Sequence, residues 1–473
     1  MIRFQPPAPA ALACFTRAGL CSMSAGAAPA DGLIDTTFGT NGRTIVGFDT
    51  LPAAPIDIVQ DTVVDSLGRI YLVGVVNTND GQRIGITRLK ENGTLDTNYG
   101  PQDVGLVVAP TQLGFTFTGA SAALDASGEL LVGGTVKTAG NDDFAVCRFD
   151  IDGSLSAFSN GLSCVKIGFD LGSTNSDVLR DIVVQSDGKI VMAGSAFSPV
   201  VAGYYAAFAR LNTNGNLDTT FNGTGKLSFL GNFGYDDTKV NAVKMTTNGK
   251  IVAVADGRVE NTGYTEPLFL RLLSNGTLDS TFGLNGQSPV NISALRNARL
   301  RDLVVVPGSD PQDDESLIGA GEIESFIGSG VYDGLLFKKS SSGGGTVSSF
   351  GTAGVATDTN GAALTFNAML REKNGNLTVV GTIRTTPTSK FNYYITRYLP
   401  NGTRDTADFN PGIGFTEVDF LQLGGSDLAN AVALQGDRVI IAGTSLVSAG
   451  PPVNLDFSAV ALRRDRIFAH GFE

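Results

Sequence analysis

A short sequence phrase returns about every 60 residues along this chain and limits the folds that it can adopt. In a full copy it reads GKIVMAG, a Gly and a basic residue followed by an apolar run that ends in Gly. Seven copies lie at 68–74, 128–134, 188–194, 249–255, 315–321, 375–381 and 437–443. Their last residues are separated by steps of 60, 60, 61, 66, 60 and 62. This period predicts a repeat protein whose units pack on their neighbours.

Two further phrases follow the first. The second is an apolar run that ends in a basic residue, at Arg88, Arg148, Arg210, Arg271, Lys338, Arg397 and Arg463. The third, N-G-x-L-D-x-T-F-G in full, has clear copies around Asp35, Asp96, Asp218 and Asp279. An Arg and an Asp repeated in this way, such as Arg210 and Asp218, predict charge-assisted hydrogen bonds that pin a turn. We favour this interpretation over a ring of anion-binding cations.

Each unit contains four short β-type segments, which the third unit illustrates with RDIVVQS, KIVMAG, YAAFARL and KLSFL. Asp-Gly, Asn-Gly and other Gly turns bound them, as expected for hairpins. Because the segments are apolar on both faces, both faces must be covered. The sequence therefore predicts an all-β fold, a seven-bladed β-propeller of about 60-residue four-stranded repeats.

The order of the phrases predicts how the ring closes. The chain opens at residue 31 with a third phrase and an outer-strand candidate at 43–48, and it ends with a second phrase near 456–463. An N-terminal strand that completes the last blade would remove two open sheet edges. We expect a single propeller over 31–465, its last blade closed by the N-terminal strand.

The series GKIVMAG, FARLN and NGNLDTTF resembles the delta-60 repeat family of bacterial repeat proteins. The resemblance covers essentially all of residues 31–473. It implies a β-propeller of uncharacterised activity and provides no catalytic residues to carry over. The last eight residues, RIFAHGFE at 466–473, resemble a short C-terminal tail on exported proteins of some proteobacteria.

The N-terminal segment predicts export. Residues 1–30 contain two Arg and no acid and end in Ala28-Pro29-Ala30, which is typical of a signal peptide with an A-x-A cleavage site. The alternative is a disordered extension. Cys147 and Cys164 would remain after cleavage, either as small buried thiols or as one disulfide in an oxidising compartment. We expect a secreted or cell-surface protein, with the periplasm as a further location.

Composition and charge exclude several functions. With 34 basic and 46 acidic residues the chain carries a net charge of −12, which disfavours nucleic acid as a partner. No stretch is apolar enough to span a bilayer. The single His, His470, lies close to the C-terminus, and the common hydrolase, phosphate-binding and zinc-protease motifs are missing. These observations predict a monomer that is not an enzyme, with no catalytic or cofactor-binding residues and no cofactor.

One acidic insertion has enough carboxylates for a cation site. Asp310, Asp313, Asp314 and Glu315 place four carboxylates within six residues. Calcium needs several oxygen ligands that converge in one loop. A solvated acidic hairpin tip is the favoured interpretation, so no metal site is predicted.

The loops give the best indication of function. The Asp-Gly hairpins and the Leu-Asp turns are repetitive and fall on one face of the predicted propeller. The loops on the other face differ in length and carry Tyr204, Tyr205, Tyr264, Phe326 and Tyr332. This variation predicts a binding or scaffolding module with an unknown protein or carbohydrate ligand on the variable-loop face. The alternative is an extracellular hydrolase or lyase that uses carboxylates at the channel mouth.

Overall fold

The computed structural model describes residues 31–48, 56–110, 116–138, 140–172, 175–290, 292, 296–308, 315–360, 363–384, 386, 390–420, 425–436, 438–448 and 454–463. The predicted signal peptide at 1–30 and the C-terminal tail at 466–473, with His470, lie outside these residues. Asp310, Asp313 and Asp314 of the acidic insertion do so as well.

The described residues form 28 β-strands and no helix. The strands are β1 Arg43–Val46, β2 Asp57–Val64, β3 Ile70–Thr78, β4 Gly81–Leu89, β5 Leu106–Val108, β6 Thr116–Leu124, β7 Leu130–Thr138, β8 Asn141–Phe149, β9 Cys164–Ile167, β10 Asn175–Val184, β11 Ile190–Ser198, β12 Gly203–Leu211, β13 Lys226–Phe229, β14 Tyr235–Met245, β15 Ile251–Val259, β16 Thr265–Leu272, β17 Gln287–Pro289, β18 Ala298–Val306, β19 Ser316–Glu324, β20 Tyr332–Ser340, β21 Val355–Asp358, β22 Ala363–Arg371, β23 Leu377–Arg384, β24 Asn392–Tyr398, β25 Phe415–Val418, β26 Asp427–Gln435, β27 Arg438–Ser448 and β28 Asn454–Arg463.

Within the described residues these strands pair in antiparallel groups of four. Six groups follow chain order from β2–β5 to β22–β25, and a further group has the strand order β1-β28-β27-β26. The groups β6–β9 and β10–β13 are joined by two parallel residue pairs between β8 and β10. The first strand of each group, β26 in the last, lines a common channel, and we call these the inner strands. This arrangement confirms the all-β, four-stranded prediction.

The hydrophobic core lies between neighbouring groups. Val73 and Val132, for example, belong to one buried cluster although they lie in different groups, on β3 and β7. Another cluster joins the first group to the last, with Leu72 of β3 beside Ala442 of β27 and Phe457 of β28. Burial of apolar surface between sheets therefore holds each group to its neighbour.

The Gly that ends the first phrase has a structural cause. Each inner strand carries a β-bulge, for example between Leu179 and Asp181 of β10. The bulge brings the carbonyl oxygen of Val178 so close to Gly194 that a Cβ atom there would lie 2.0 Å from it. A side chain is therefore excluded at this position.

The predicted pairing of Arg and Asp is confirmed in four units. Arg210 Nε lies 2.7 Å from Asp218 Oδ2, and the equivalent contacts Arg88–Asp96, Arg271–Asp279 and Arg397–Asp405 measure 2.8 Å. Arg148 binds Asp125 and Glu129 instead, because its third phrase has Ser156 where the Asp would stand. Lys338 forms no ion pair with a described residue.

Two cross-strand contacts concern predicted pairs. Strand β1 pairs with β28, with Arg43 opposite Val460 and Val46 opposite Phe457. Cys147 of β8 stands opposite Cys164 of β9, and a disulfide joins them. Of the two alternatives that the sequence allowed, free thiols or a disulfide, the structure contains the disulfide.

Candidate functional site

The channel is held together by polar contacts between successive inner strands. The side-chain amides of three Asn residues donate to a backbone carbonyl of the next inner strand. Asn241 binds Leu300 O at 2.8 Å, Asn367 binds Ala429 O at 2.8 Å, and Asn430 binds Val59 O at 2.7 Å. These Asn residues sit at the bulges. Their amides are therefore committed to structure.

On three other inner strands, a carboxylate makes the hydrogen bond to the next or a neighbouring inner strand. Asp61 accepts a hydrogen bond from Ala122 N at 2.7 Å, Asp181 from Val243 N at 2.8 Å, and Asp302 from Met369 N at 2.8 Å. Ser121 of β6 links the remaining pair of inner strands, β6 and β10, by donating a hydrogen bond to Asp181 at 2.7 Å. Each carboxylate thus replaces the Asn amide as the connection to the next strand.

Lys244 lies among these three carboxylates. Its Nζ atom is 3.4 Å from Asp181 Oδ2 and 3.6 Å from Asp302 Oδ1. Burial raises the pKa of Asp61 to about 7, and burial also raises the pKa of Asp302. Burial alone would lower the pKa of Lys244, but the three carboxylates raise it. The Lys244 ammonium therefore offsets part of the negative charge of the three carboxylates.

A larger cavity of about 710 Å³ opens beside the channel. It lies at the ends of the strands next to the loops that join β11 to β12 and β15 to β16, which is the variable-loop face. Its charged lining consists of Arg180, Asp237, Lys239, Asp256, Arg258, Arg299 and Arg301. We call it the charged cavity. Arg180, Asn241 and Arg301 also line the channel cavity of about 350 Å³, so the two spaces adjoin.

Three of its five cations are paired. Arg301 lies 2.9 Å from Glu322, Arg258 lies 2.7 Å from Asp236, and Lys239 lies 2.6 Å from Asp237. Arg180 and Arg299 make no hydrogen bond and no ion pair within 4 Å with any described residue. Two guanidinium groups therefore remain available to a ligand.

Asp256 lines the same cavity, and its carboxyl group interacts electrostatically with Arg180 and Arg299. It lies on β15 opposite Lys239, and its Oδ1 atom has no hydrogen-bond partner among the described residues. Burial raises the pKa of Asp256 to about 6, against the lowering effect of the Asn241 amide and of the charges on Arg299 and Arg301. A carboxyl group with this pKa can give up a proton near neutral pH.

The aromatic residues named from sequence are not gathered at this site. Tyr204 lines the charged cavity, with its ring centroid 4.6 Å from Lys239 Nζ. Tyr205, Tyr264 and Tyr332 are half-buried and, like Phe326, are outside the lining of the cavity. Phe326 is 66% exposed on the same face. Only one of the five is placed to touch a ligand in the cavity.

Glu315, the described member of the acidic insertion, does not form an open cation site. It is buried and accepts hydrogen bonds from the backbone N–H and the hydroxyl of Thr247, a residue of the preceding group. No set of three metal-ligating side chains is found in the described ranges.

The site residues Arg180, Asp256 and Arg299 were missed from sequence. A signal for one of them exists, because the inner-strand bulge residue lies 14 positions before the end of the first phrase in most units. Asn occupies this position at 241 and 367, whereas Arg180 occupies it in the third unit. The repeat itself therefore marks Arg180 as a departure from a structural position. Arg301 departs in the same way at the bulge of β18.

Comparison with known proteins supports the propeller class. Residues 68–99, 126–155, 185–221 and 246–282 match a family described as a β-propeller domain of unknown function, DUF5122. No curated protein matches the chain. Because the matched segments cover less than half of the chain, they support a β-propeller repeat family and do not confirm the delta-60 name.

Solved structures resemble the fold at low identity. The polysaccharide lyase Uly1 is 11% identical, with 90% of this chain and 93% of that chain covered and a TM-score of 0.46. The α-L-arabinofuranosidase Arb93A of Fusarium graminearum is 12% identical over 73% and 92%, with a TM-score of 0.41. An α-L-arabinanase of Penicillium chrysogenum, complexed with arabinobiose, is 13% identical over 73% and 93%, with a TM-score of 0.40.

These neighbours contradict the prediction that the chain is a non-enzymatic binding or scaffolding module. The carboxylate-based hydrolase or lyase, given above as the alternative, agrees better with them. The sequence-based argument searched for local motifs, whereas Arg180, Asp256 and Arg299 of the charged cavity come from three different groups. At such identities the likeness shows the shared fold alone, so the chemistry must be argued from the site.

In the part of the chain that the structure describes, no helix is long and apolar enough to cross a membrane.

Proposed function

We propose that the protein is an enzyme that cleaves glycosidic bonds in the charged cavity, with Asp256 as the proton donor. The observation that carries the proposal is Asp256, which lines a polar cavity together with two unpaired guanidinium groups and whose buried Oδ1 atom has no hydrogen-bond partner among the described residues. Side chains such as Ser195, Tyr204 and Thr265 supply hydroxyl groups to the same lining. Such a lining suits a ligand rich in hydroxyls.

The chemistry assigned to Asp256 is common to hydrolysis and elimination. In both, the bond from the sugar carbon to the bridging oxygen breaks, the oxygen keeps the electron pair, and Asp256 gives it a proton. In hydrolysis water adds to the carbon and loses its proton to a base. In elimination a base removes a ring proton, and a carbon–carbon double bond forms. Asp237 shares the cavity and the strand pair β14–β15 with Asp256.

The test is release of reducing ends from a panel of polysaccharides by the purified protein. Asp256→Asn should lower kcat about 100-fold or more, because the amide cannot donate a proton of comparable acidity. Unsaturated sugar products would identify elimination, and saturated products would identify hydrolysis.

Asp80→Asn is the matched control, since Asp80 is an exposed acid after β3 on the same face but outside the charged cavity. Equal rates for Asp256→Asn and the unchanged protein would reject the proposed role. Absence of cleavage across the panel would reject the proposed activity.

We further propose that the four-strand groups form a closed seven-bladed ring whose last blade is completed by β1. The pairing of β1 with β28 and the core contacts between the first and last groups support this closure.

The disulfide Cys147–Cys164 supports an exported, extracellular location. Sequencing the N-terminus of protein recovered outside the cell tests export, with residue 31 as the expected first residue.

A further inference from the structure

Resting on the proposed function, we propose that the substrate is an anionic glycan, whose carboxylate or sulfate group binds between Arg180 and Arg299 in the charged cavity. The inference concerns substrate class, which the fold does not give. It depends on three observations about these arginines and their surroundings.

The first observation is the charge balance inside the cavity. The chain carries a net charge of −12, yet the lining of this cavity has five basic and two acidic side chains. After Arg258, Arg301 and Lys239 are assigned to their carboxylate partners, Arg180 and Arg299 are left over. Clustered cations within an acidic protein raise the local concentration of anions.

The second observation is that Arg180 has no structural task. At the bulge position of β14, β22 and β26, an Asn amide binds the next inner strand. In β10 that link is made by Asp181, which accepts from Val243 N, and Arg180 is left without a partner among the described residues. The link between the strands is complete without it, so the cation is free to bind a ligand.

The third observation is the chemistry of the group. A guanidinium presents a planar fork of N–H donors that matches the oxygens of a carboxylate or a sulfate. The side chains of Arg180 and Arg299 are exposed within the lining of the charged cavity, so an anionic group of a ligand can reach them. Asp256 faces the same two arginines, and its proton would limit repulsion of an anionic sugar.

Binding should be measured with Asp256→Asn, so that the glycan is not consumed. The probes are uronate oligosaccharides from pectate, alginate and a glycosaminoglycan, a sulfated galactan fragment, and a neutral galactan fragment of the same length. Titration calorimetry should show binding of uronate or sulfated probes and weaker or no binding of the neutral one. Comparison of the uronate probes with the sulfated probe identifies whether the arginines bind a carboxylate or a sulfate group.

In the Asp256→Asn protein, a second substitution, either Arg180→Gln or Arg299→Gln, should weaken binding of the anionic probe about tenfold. Lys90→Gln, which removes an exposed charge next to the Asn92-Gly93 turn on the repetitive face, should leave Kd unchanged. The affinity should also fall as salt is raised.

The outcomes separate the two proposals. Cleavage of neutral glycans at an unchanged rate by Arg180→Gln and Arg299→Gln would overturn the anionic substrate and leave the enzyme standing. Arginine-dependent binding without cleavage by the unchanged protein would overturn the enzyme and leave the anion site standing. Failure of every anionic probe to bind would overturn the inference.

Discussion

At the scale of single residues, the repeated Arg does two jobs. The guanidinium of Arg210 binds Asp218 of its own turn and donates from Nη1 to the carbonyl of Ser274 in the next group. Arg88 reaches Ile151 O in the same manner. The turn of one group and the edge of the next are therefore positioned by one side chain.

Removing this Arg should be costly. Arg210→Met leaves Asp218, which is almost fully buried, with Lys189 at 3.1 Å as its remaining cation. We expect a loss of about 3 kcal/mol in the free energy of unfolding, measured by denaturant titration. The double variant Arg210→Met/Asp218→Asn should recover part of that loss, because the uncompensated charge is gone. Strictly additive losses would contradict the pairing.

The same pair has a pH signature. Burial alone would raise the pKa of Asp218, but hydrogen bonds from Thr220 and Lys189 and the charge of Arg210 lower it to about 2. Because the folded pKa lies below the ordinary 3.8, the stabilisation is present above pH 4 and is lost as pH falls towards 2. The free energies of unfolding of Asp218→Asn and of the unchanged protein should therefore differ less below pH 3 than above pH 4.

The proposed role of Asp256 as proton donor predicts how the proposed activity depends on pH. Burial raises the pKa of Asp256 to about 6, so its acid form is lost as pH rises through that value. The charged groups around it are Arg180, Lys239, Arg299, Arg301 and Glu322. We expect kcat to decline above pH 6, and a kcat that is constant from pH 6 to 9 would contradict the assignment.

At the scale of elements, the inner strands explain both a success and a failure of prediction from sequence. The seven phrases marked each second strand and its hairpin, because apolar runs and Gly turns are local signals. The bulge facing Gly194 was not predicted, since a β-bulge adds one residue without altering local composition. Arg180 is the extra residue of this bulge and lines the channel. Because the bulge was not predicted, the position of Arg180 was not predicted either.

The closing element can be tested by removing it. Deletion of residues 1–48 takes away β1 and leaves β28 as an open edge, so we expect aggregation or a markedly lower melting temperature. Deletion of residues 1–30 alone is the control and should melt as the full chain does. A peptide of residues 31–48 added in trans should restore part of the stability. Equal melting of both deletions would exclude closure by β1.

The disulfide makes a smaller contribution at the same scale. Cys147 and Cys164 enclose 16 residues of one group, so the loop-closure argument gives about 3 kcal/mol. Replacing both by Ser should lower the free energy of unfolding by that amount without changing glycan binding. A reducing agent should produce the same loss in the unchanged protein. Two free thiols in the exported protein would contradict the bridge.

At the scale of the whole molecule, the inner strands form one electrostatic unit. Asp61, Asp181 and Asp302 come from three groups, and Lys244 comes from a fourth. The pKa of Asp61 is raised by burial from the ordinary 3.8 to about 7, so its contribution to stability is present at low pH and is lost as pH rises towards 7. The charge of Lys244 limits this loss.

Lys244→Met should therefore destabilise the protein most at high pH. We expect the melting temperature at pH 8 to fall by about 2–4 °C relative to the unchanged protein. The difference should shrink towards pH 5, because Asp61, whose pKa is raised by burial to about 7, then takes up a proton. Lys90→Met should show no such trend. A deficit that grows on acidification would contradict the role given to Lys244.

Local patterns could predict the strands, the turn contacts and the disulfide candidates, because each depends on residues near in sequence. The charged cavity could not be predicted in this way, since Arg180, Asp256 and Arg299 lie on β10, β15 and β18. Their proximity follows from how neighbouring groups pack, and their lack of partners is visible only in three dimensions. The variable loops predicted from sequence lie on the same face as the proposed site, next to the charged cavity.

The pairing of β1 with β28 also constrains the order of assembly. All the other strands lie between β1 and β28 in the chain, so β1 leaves the ribosome well before the strand with which it pairs. Every other group can complete its own sheet as it emerges, whereas β1 must stay unpaired while β2 to β28 are synthesised. Any factor that shields an unfinished edge should therefore act on the start of the chain, and truncated products should accumulate with β1 exposed to proteases.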